Sequence, residues 1–130
     1  MKTLQNNFTT PEQSKKLLEL GVPVDSADCF YSYHIKTYAH SEHTEITWIR
    51  PRFITDDNNP NWNARLMDGT QTYLPCWTDG RLMKIIEICS SYKLAVEIFG
   101  HAILYYDTIN GIISEMAYKK GSIDFSKLEE

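Results

Sequence analysis

The sequence predicts an α+β fold, a mainly antiparallel sheet of about five to six strands with three helices packed on one face, in the order α-β-β-β-β-α-β-β-α. Three observations predict it. Three segments carry apolar residues at helical spacing, the strand-like segments are joined by hairpin-type turns, and no alternating βαβ series runs through the chain.

The first helix has both ends written into residues 9–24. Thr10 suits the N-cap, Pro11 the first helical position, and Gln13 the third position of a reciprocal capping box. Gly21 supplies a left-handed C-terminal residue, Val22 folds back on Leu17, and Pro23 forbids continuation. Strand character follows. From Cys29 to Tyr38, Tyr31, Tyr33, Ile35 and Thr37 alternate with Phe30, Ser32, His34 and Lys36. A polar connection, Ala39 to His43, leads to Thr44–Arg50, where Ile46 and Trp48 alternate with Glu45 and Thr47, and Pro51 ends the pairing. Residues 55–61 are turn chemistry throughout. Asp68-Gly69 suits a two-residue hairpin joining Asn63–Met67 to Thr70–Leu74.

The second helix is expected over Asp79–Cys89, capped by Thr78. Leu82, Ile85, Ile86 and Cys89 form its stripe, which Met83 and Ile88 widen, so that it reads as more deeply buried than an ordinary surface helix. Lys93–Phe99 and Ala102–Tyr106 predict a hairpin about Gly100-His101, with Ile98 opposite Ile103 and Val96 opposite Tyr105. The third helix follows from Asp107 or Thr108, with Ile109, Ile112, Ile113, Met116 and Ala117 on one face and a stop at Gly121. In the charged tail only Ile123, Phe125 and Leu128 are able to dock.

At 130 residues the chain suits one domain over 1–130, with 1–7 and 122–130 as loose tails. An apolar share of 42% and an aromatic share of 12% argue against disorder. A net charge of −4 offers no general attraction for phosphate backbones or anionic membranes. No apolar run approaches the roughly 20 residues that cross a bilayer, and the first residues lack the apolar stretch of a secretion signal. Cys29, Cys76 and Cys89 are odd in number and share no metal-type spacing, which favours reduced, buried thiols and a cytoplasmic location.

Signals for chemistry are sparse. His40 and His43 are spaced H-x-x-H beside Glu42 and Glu45, but in a loop and without a third ligand, so they read as a solvated hairpin loop more readily than as a metal site. Cys76, in Leu-Pro-Cys-Trp-Thr before a helix start, is the thiol best placed to be a nucleophile, with His34 or His101 as the base if the fold brings one close, and the alternative function is then a small hydrolase or transferase. Buried, inert cysteine is the commoner case. Asp56-Asp57 sits where aspartate serves local turns. No nucleotide-binding, hydrolase-elbow, zinc-helix or calcium-loop motif is present, and no cofactor is implied. Trp48, Arg50 and Arg52 mix aromatic and basic residues as single-strand binders do, against an acidic total.

A contact surface is the strongest functional expectation. Tyr31, Tyr33, Tyr38, Trp48, Trp62, Tyr73, Trp77, Tyr105 and Tyr106 exceed what one modest core readily absorbs, and tyrosine and tryptophan are preferred interface anchors. With the wide apolar arc of the second helix, they point to a protein-binding or self-associating module that uses Trp77, Met83 and Ile88, rather than to an enzyme.

Three segments together carry a resemblance: residues 8–28 (FTTPEQSKKLLELGVPVDSAD), 74–88 (LPCWTDGRLMKIIEI) and 124–128 (DFSKL). The combination resembles a group of small uncharacterised proteins of phages and mobile elements of gut anaerobes. The group has no known activity, so the resemblance implies a context only: a compact accessory protein of a mobile element that acts by binding.

Overall fold

The computed structural model describes residues 8–37, 44–66, 69 and 71–129. The class is α+β, but its elements differ from the predicted set. The helices are α1 (Pro11–Glu19), α2 (Asp79–Cys89), α3 (Tyr92–Ala102) and α4 (Thr108–Tyr118). The strands are β1 (Cys29–Tyr31), β2 (Tyr33–Thr37), β3 (Thr44–Trp48), β4 (Arg52–Phe53) and β5 (Leu74–Cys76). They form a three-stranded antiparallel sheet in the order β4-β1-β5 and a separate β2-β3 pair. Among the described residues, the expected single sheet of about five to six strands with three helices is therefore replaced by two small sheets beside four helices.

The largest correction lies at residues 92–106, where a helix replaces the predicted hairpin. Ser91 is the N-cap, its Oγ accepting from the Leu94 N–H at 3.1 Å. Leu94, Ala95, Ile98, Phe99 and Ala102 recur at helical spacing, and burial of Ala95, Ile98 and Ala102 outweighs the roughly 1 kcal/mol that Gly100 costs inside a helix. The strand alternation of Leu94, Val96 and Ile98 is thus incidental. The hairpin expected about Asp68-Gly69 reduces, among the described residues, to one bridge between Arg65 and Gln71, and the strand itself starts at Leu74.

The expected continuous strand from Cys29 splits at Ser32. Ile49 N–H donates to the Ser32 carbonyl at 2.8 Å, and Tyr33 faces Trp48. One step along, Phe30 faces Arg52 and Cys29 faces Phe53. Tyr31 therefore opposes two residues, Arg50 and Pro51, which is a β-bulge. Pro51 has no N–H to offer a ladder, so the extra residue falls where a donor is missing. The bulge divides one long ribbon into a β2-β3 arm and the β1-β4 part of the sheet.

α1 closes with its expected caps. Thr10 Oγ1 accepts from the Gln13 N–H, and Gln13 Oε1 accepts from the Thr10 N–H at 2.8 Å. Val22 N–H reaches the Leu17 carbonyl across Gly21, whose φ is 98°. Gln13 does a second task, since its Nε2 donates to Asn110 Oδ1 at 2.7 Å and to Asp107 Oδ2 at 3.2 Å, so α1 is tied to the start of α4. α2 is capped by Thr78 and buries Leu82, Ile85, Ile86 and Cys89.

Two clusters make up the core. The larger gathers the inner faces of α1–α4 around Trp77, with Ile123 buried and Phe125 and Leu128 packed against it from the tail. The segment Phe125–Glu129 forms a 3-10 turn alongside α2, and Asp124 N–H donates to the Cys89 carbonyl. The smaller cluster lies on one face of the sheet: Cys29, Tyr31, Leu74 and Cys76 beneath Phe8 and Trp48.

Between α3 and α4 the backbones come close at Gly111. A Cβ there would lie 2.8 Å from the Ala102 carbonyl oxygen and 2.8 Å from the Tyr105 ring. Gly111→Ala is expected to destabilise the chain by about 1–3 kcal/mol through overpacking against fixed backbone. Denaturant melts of the variant beside Gly80→Ala, where an added Cβ meets nothing, check this.

Candidate functional site

The residues singled out by chemistry are scattered. Cys76 is fully buried in β5, directly opposite Cys29. His101 lies exposed on α3, its Nδ1 2.7 Å from Glu115 Oε1 of α4. His34 is on β2 opposite Thr47, with its side chain outside the described residues, as are His40 and His43. Among the described residues no group of three His, Cys, Asp or Glu is gathered to hold a metal ion. No helix among them is long and apolar enough to cross a membrane.

Trp77 is at the centre of the molecule and has no exposed surface. Its indole N–H donates to Ser26 Oγ at 3.0 Å and its backbone N–H to Thr9 Oγ1 at 3.1 Å, while Thr9 N–H donates back to the Trp77 carbonyl. Ser26 Oγ donates in turn to the Pro23 carbonyl, and Arg81 Nε to the Ser26 carbonyl. Asp28 grips the start of α2: Thr78 donates its N–H to Oδ1 at 3.0 Å and its hydroxyl to Oδ2 at 2.6 Å. Both oxygens of that carboxylate are thus engaged in holding a helix cap. None of this sequence-distant network (Thr9, Ser26, Asp28, Arg81) was marked by local pattern. Among the described residues no buried side-chain nitrogen or oxygen lacks a partner, and this network joins α1, β1 and the start of α2.

The Cys29 thiol and the Tyr31 phenol beneath the sheet are held in their neutral forms. The Cys29 thiol is pushed strongly upward, first by its hydrogen bond with Cys76 and then by burial. Burial likewise pushes Tyr31 up to about 12, with the hydroxyl donating to the Thr9 carbonyl at 2.6 Å. A nucleophilic thiolate needs the opposite environment.

Exposed apolar surface is concentrated elsewhere, on α3. α2 turns most of its arc inward, leaving Met83 half-buried and Ile88 at the margin of exposure. α3 has two apolar seams. Ala95, Ile98 and Ala102 face the core, whereas Tyr92, Val96, Phe99 and Ile103 follow one another at spacings of four, three and four along a second line. Tyr92 is 87%, Val96 52% and Ile103 69% exposed, and Leu104 follows at 81%. Phe99 is half-buried and anchors the line to the core. Glu97–Lys119 and His101–Glu115 tie α3 to α4 away from this line. The spacing was legible in the sequence, but a hairpin reading of the same residues concealed it.

A second surface feature lies at the bulge. Arg50 and Arg52, with Ser32, Ile49 and Pro51, line an open groove of about 450 Å³. The Arg52 guanidinium stands 5.7 Å from the centre of the Phe30 ring, which Tyr73 meets edge-on. Trp48 is half-buried against Tyr33.

The chain matches no family model, no curated protein and no solved structure. The site is therefore read from its own residues.

Of the expected surface aromatics, Tyr31 and Trp77 are buried, and Tyr33, Trp48, Trp62 and Tyr73 are partly covered. Tyr38 lies outside the described residues. Tyr105 and Tyr106 are exposed, and Tyr92 and Tyr118 join them as exposed rings.

The raised Cys29, Cys89 and Tyr31 groups all favour the neutral form in the folded chain. Their contribution to stability is full below the unfolded thiol pKa of about 8.5 and is lost progressively above it, because only the unfolded chain ionises there. Tm is expected to fall as pH rises from about 8.5 through 11. A Tm that stays level across that range in a thermal-melt series would contradict the buried, neutral placement of these groups.

Proposed function

We propose that the chain is a non-enzymatic, self-associating binding module of phage or mobile-element type, working in a cytoplasm, in which α3 of one copy docks on α3 of a second. The exposed line Tyr92–Val96–Phe99–Ile103 carries this reading. Its alternation of three- and four-residue steps is the repeat by which two helices interlock. A two-fold pair of identical helices makes such a line complementary to itself. At roughly 150–250 Å² for a large aromatic side chain, Tyr92, Val96, Phe99, Ile103, Leu104 and Tyr106 together offer on the order of 800 Å², the share each partner gives to a standard interface. The accessory role in a mobile element rests on the resemblance of residues 8–28, 74–88 and 124–128.

Size-exclusion chromatography with light scattering is expected to show a mass twice the 15.1 kDa of the chain, with dissociation on dilution. Val96→Glu combined with Ile103→Glu is expected to return it to a monomer with an unchanged circular dichroism spectrum, since both side chains are exposed. A wild-type chain that stays monomeric at about 1 mM, weaker than any association worth ~4 kcal/mol, would overturn the reading, as would a dimer that the double variant leaves intact.

The groove at the bulge favours a second reading, single-stranded nucleic acid held along Trp48, Arg50 and Arg52. Two guanidinium groups line one opening, with aromatic rings beside them. The net charge of −4 works against it. A gel shift with a single-stranded oligonucleotide at low salt, abolished by Arg50→Ala with Arg52→Ala and weakened by added salt, is the expected result. No shift at low salt removes this reading.

A further inference from the structure

β1 and β5 set Cys29 directly opposite Cys76, and both thiols are free and buried. The type of pair follows from neighbouring bonds. Ile54 N–H donates to the Asp28 carbonyl, so Asp28 turns its backbone groups toward the β4 side. By strand alternation Cys29 turns its own toward β5. Pro75, lacking an N–H, occupies the intervening position opposite Phe30, where no donor to β1 is required. Cys29 and Cys76 therefore form a hydrogen-bonded pair, whose Cα atoms stand about 5.5 Å apart. That separation falls inside the roughly 4.4–6.8 Å that a disulfide spans, while the Cβ atoms of such a pair, at roughly 4.5–5.5 Å, must draw together by about 1 Å to reach the bond's roughly 3.5–4.5 Å. Both side chains project from the same face of the sheet, into the cluster with Tyr31 and Leu74.

We propose that Cys29 and Cys76 are a disulfide site: a thiol oxidant joins them covalently and staples β1 to β5, and reduction releases them. With glutathione disulfide as the oxidant, the thiolate of one cysteine attacks a glutathione sulfur and expels one glutathione. The thiolate of the other cysteine then attacks the mixed disulfide and expels the second. Two thiol protons and two electrons leave the protein, and one glutathione disulfide becomes two glutathione molecules. In the folded chain both sulfurs are shut from solvent and Cys29 is held neutral, so exchange is slow there. It proceeds when β5 separates from β1 or while the chain folds. The third thiol, Cys89, is on α2 in the other core cluster and has no cysteine opposite it.

The test refolds the full chain from denaturant in a buffer of oxidised and reduced glutathione, blocks remaining thiols with an alkylating agent, and measures intact mass and cross-linked peptides without reduction. The expected product carries one blocked thiol, at Cys89, and one peptide pair joining Cys29 to Cys76. Its Tm is expected to exceed that of the dithiol form by about 5–15 °C, because the bond closes the long segment between β1 and β5 in the unfolded chain. Dithiothreitol is expected to reverse the gain. Three blocked thiols after refolding, a cross-link involving Cys89, or a stapled chain that melts below the dithiol form would each overturn the proposal. Cys29→Ser and Cys76→Ser variants, refolded in the same way, are expected to form no internal disulfide. The wild-type peptide map decides the matter even if neither variant folds.

Discussion

Burial of Trp77 is the constraint on which the rest of the molecule depends. An indole of this size is worth roughly 5 kcal/mol of apolar burial, but only if its N–H and its backbone groups find partners away from water. Those partners come from the two ends of the first thirty residues. Thr9, just ahead of α1, exchanges hydrogen bonds with the Trp77 backbone, and Ser26, just ahead of β1, takes the indole proton. Satisfying one side chain therefore brings the N-terminal segment, the sheet and the entrance to α2 to a single point. Asp28 then holds the Thr78 cap one residue further on. Among the described residues, no buried side-chain nitrogen or oxygen lacks a hydrogen-bond partner.

The helical layer has a different character. α3 and α4 approach so closely at Gly111 that the glycine hydrogen faces the Ala102 carbonyl and the Tyr105 ring. Ala95 and Ala102 allow that approach on the α3 side. A helix whose inner contacts are made largely by small residues can keep its larger ones for another line. The side chains that would ordinarily fill a core, Tyr92, Val96 and Ile103, are turned outward instead. Core economy and surface exposure on α3 are thus two results of the same sequence choice.

What local pattern could convey is clear from particular residues. Thr10, Pro11, Gln13 and Gly21 announce α1 because a cap is decided within a few residues of itself. The stripe of α2 and the inner face of α4 are legible for the same reason. The segment 93–106 misled because alternation at Leu94, Val96 and Ile98 and helical spacing at Ala95, Ile98 and Ala102 coexist in it. Contact with Gly111 of α4, which no window on α3 contains, decides between them. The bulge at Arg50-Pro51 is half legible: Pro51 marks the end of a ladder, but only the registers of β2 against β3 and of β1 against β4, taken together, show an added residue. The Cys29–Cys76 pairing and the Asp28–Thr78 clamp join residues about fifty apart in the chain, so they were outside the reach of spacing altogether. For the candidate surface, the residue types were legible as an aromatic excess, and their location was not.

The three-stranded sheet also ends in a way that bears on how copies of the chain can meet. On one side β4 is two residues long and follows directly on the Arg50-Pro51 bulge. On the other, β5 is three residues long, its central Pro75 has no N–H to offer, and the chain just beyond it, at Trp77 and Thr78, is taken by Thr9 and Phe8. Neither border of this sheet offers a neighbour a straight row of unpaired amides. Strand-by-strand growth from the borders of this sheet is blocked at its first step.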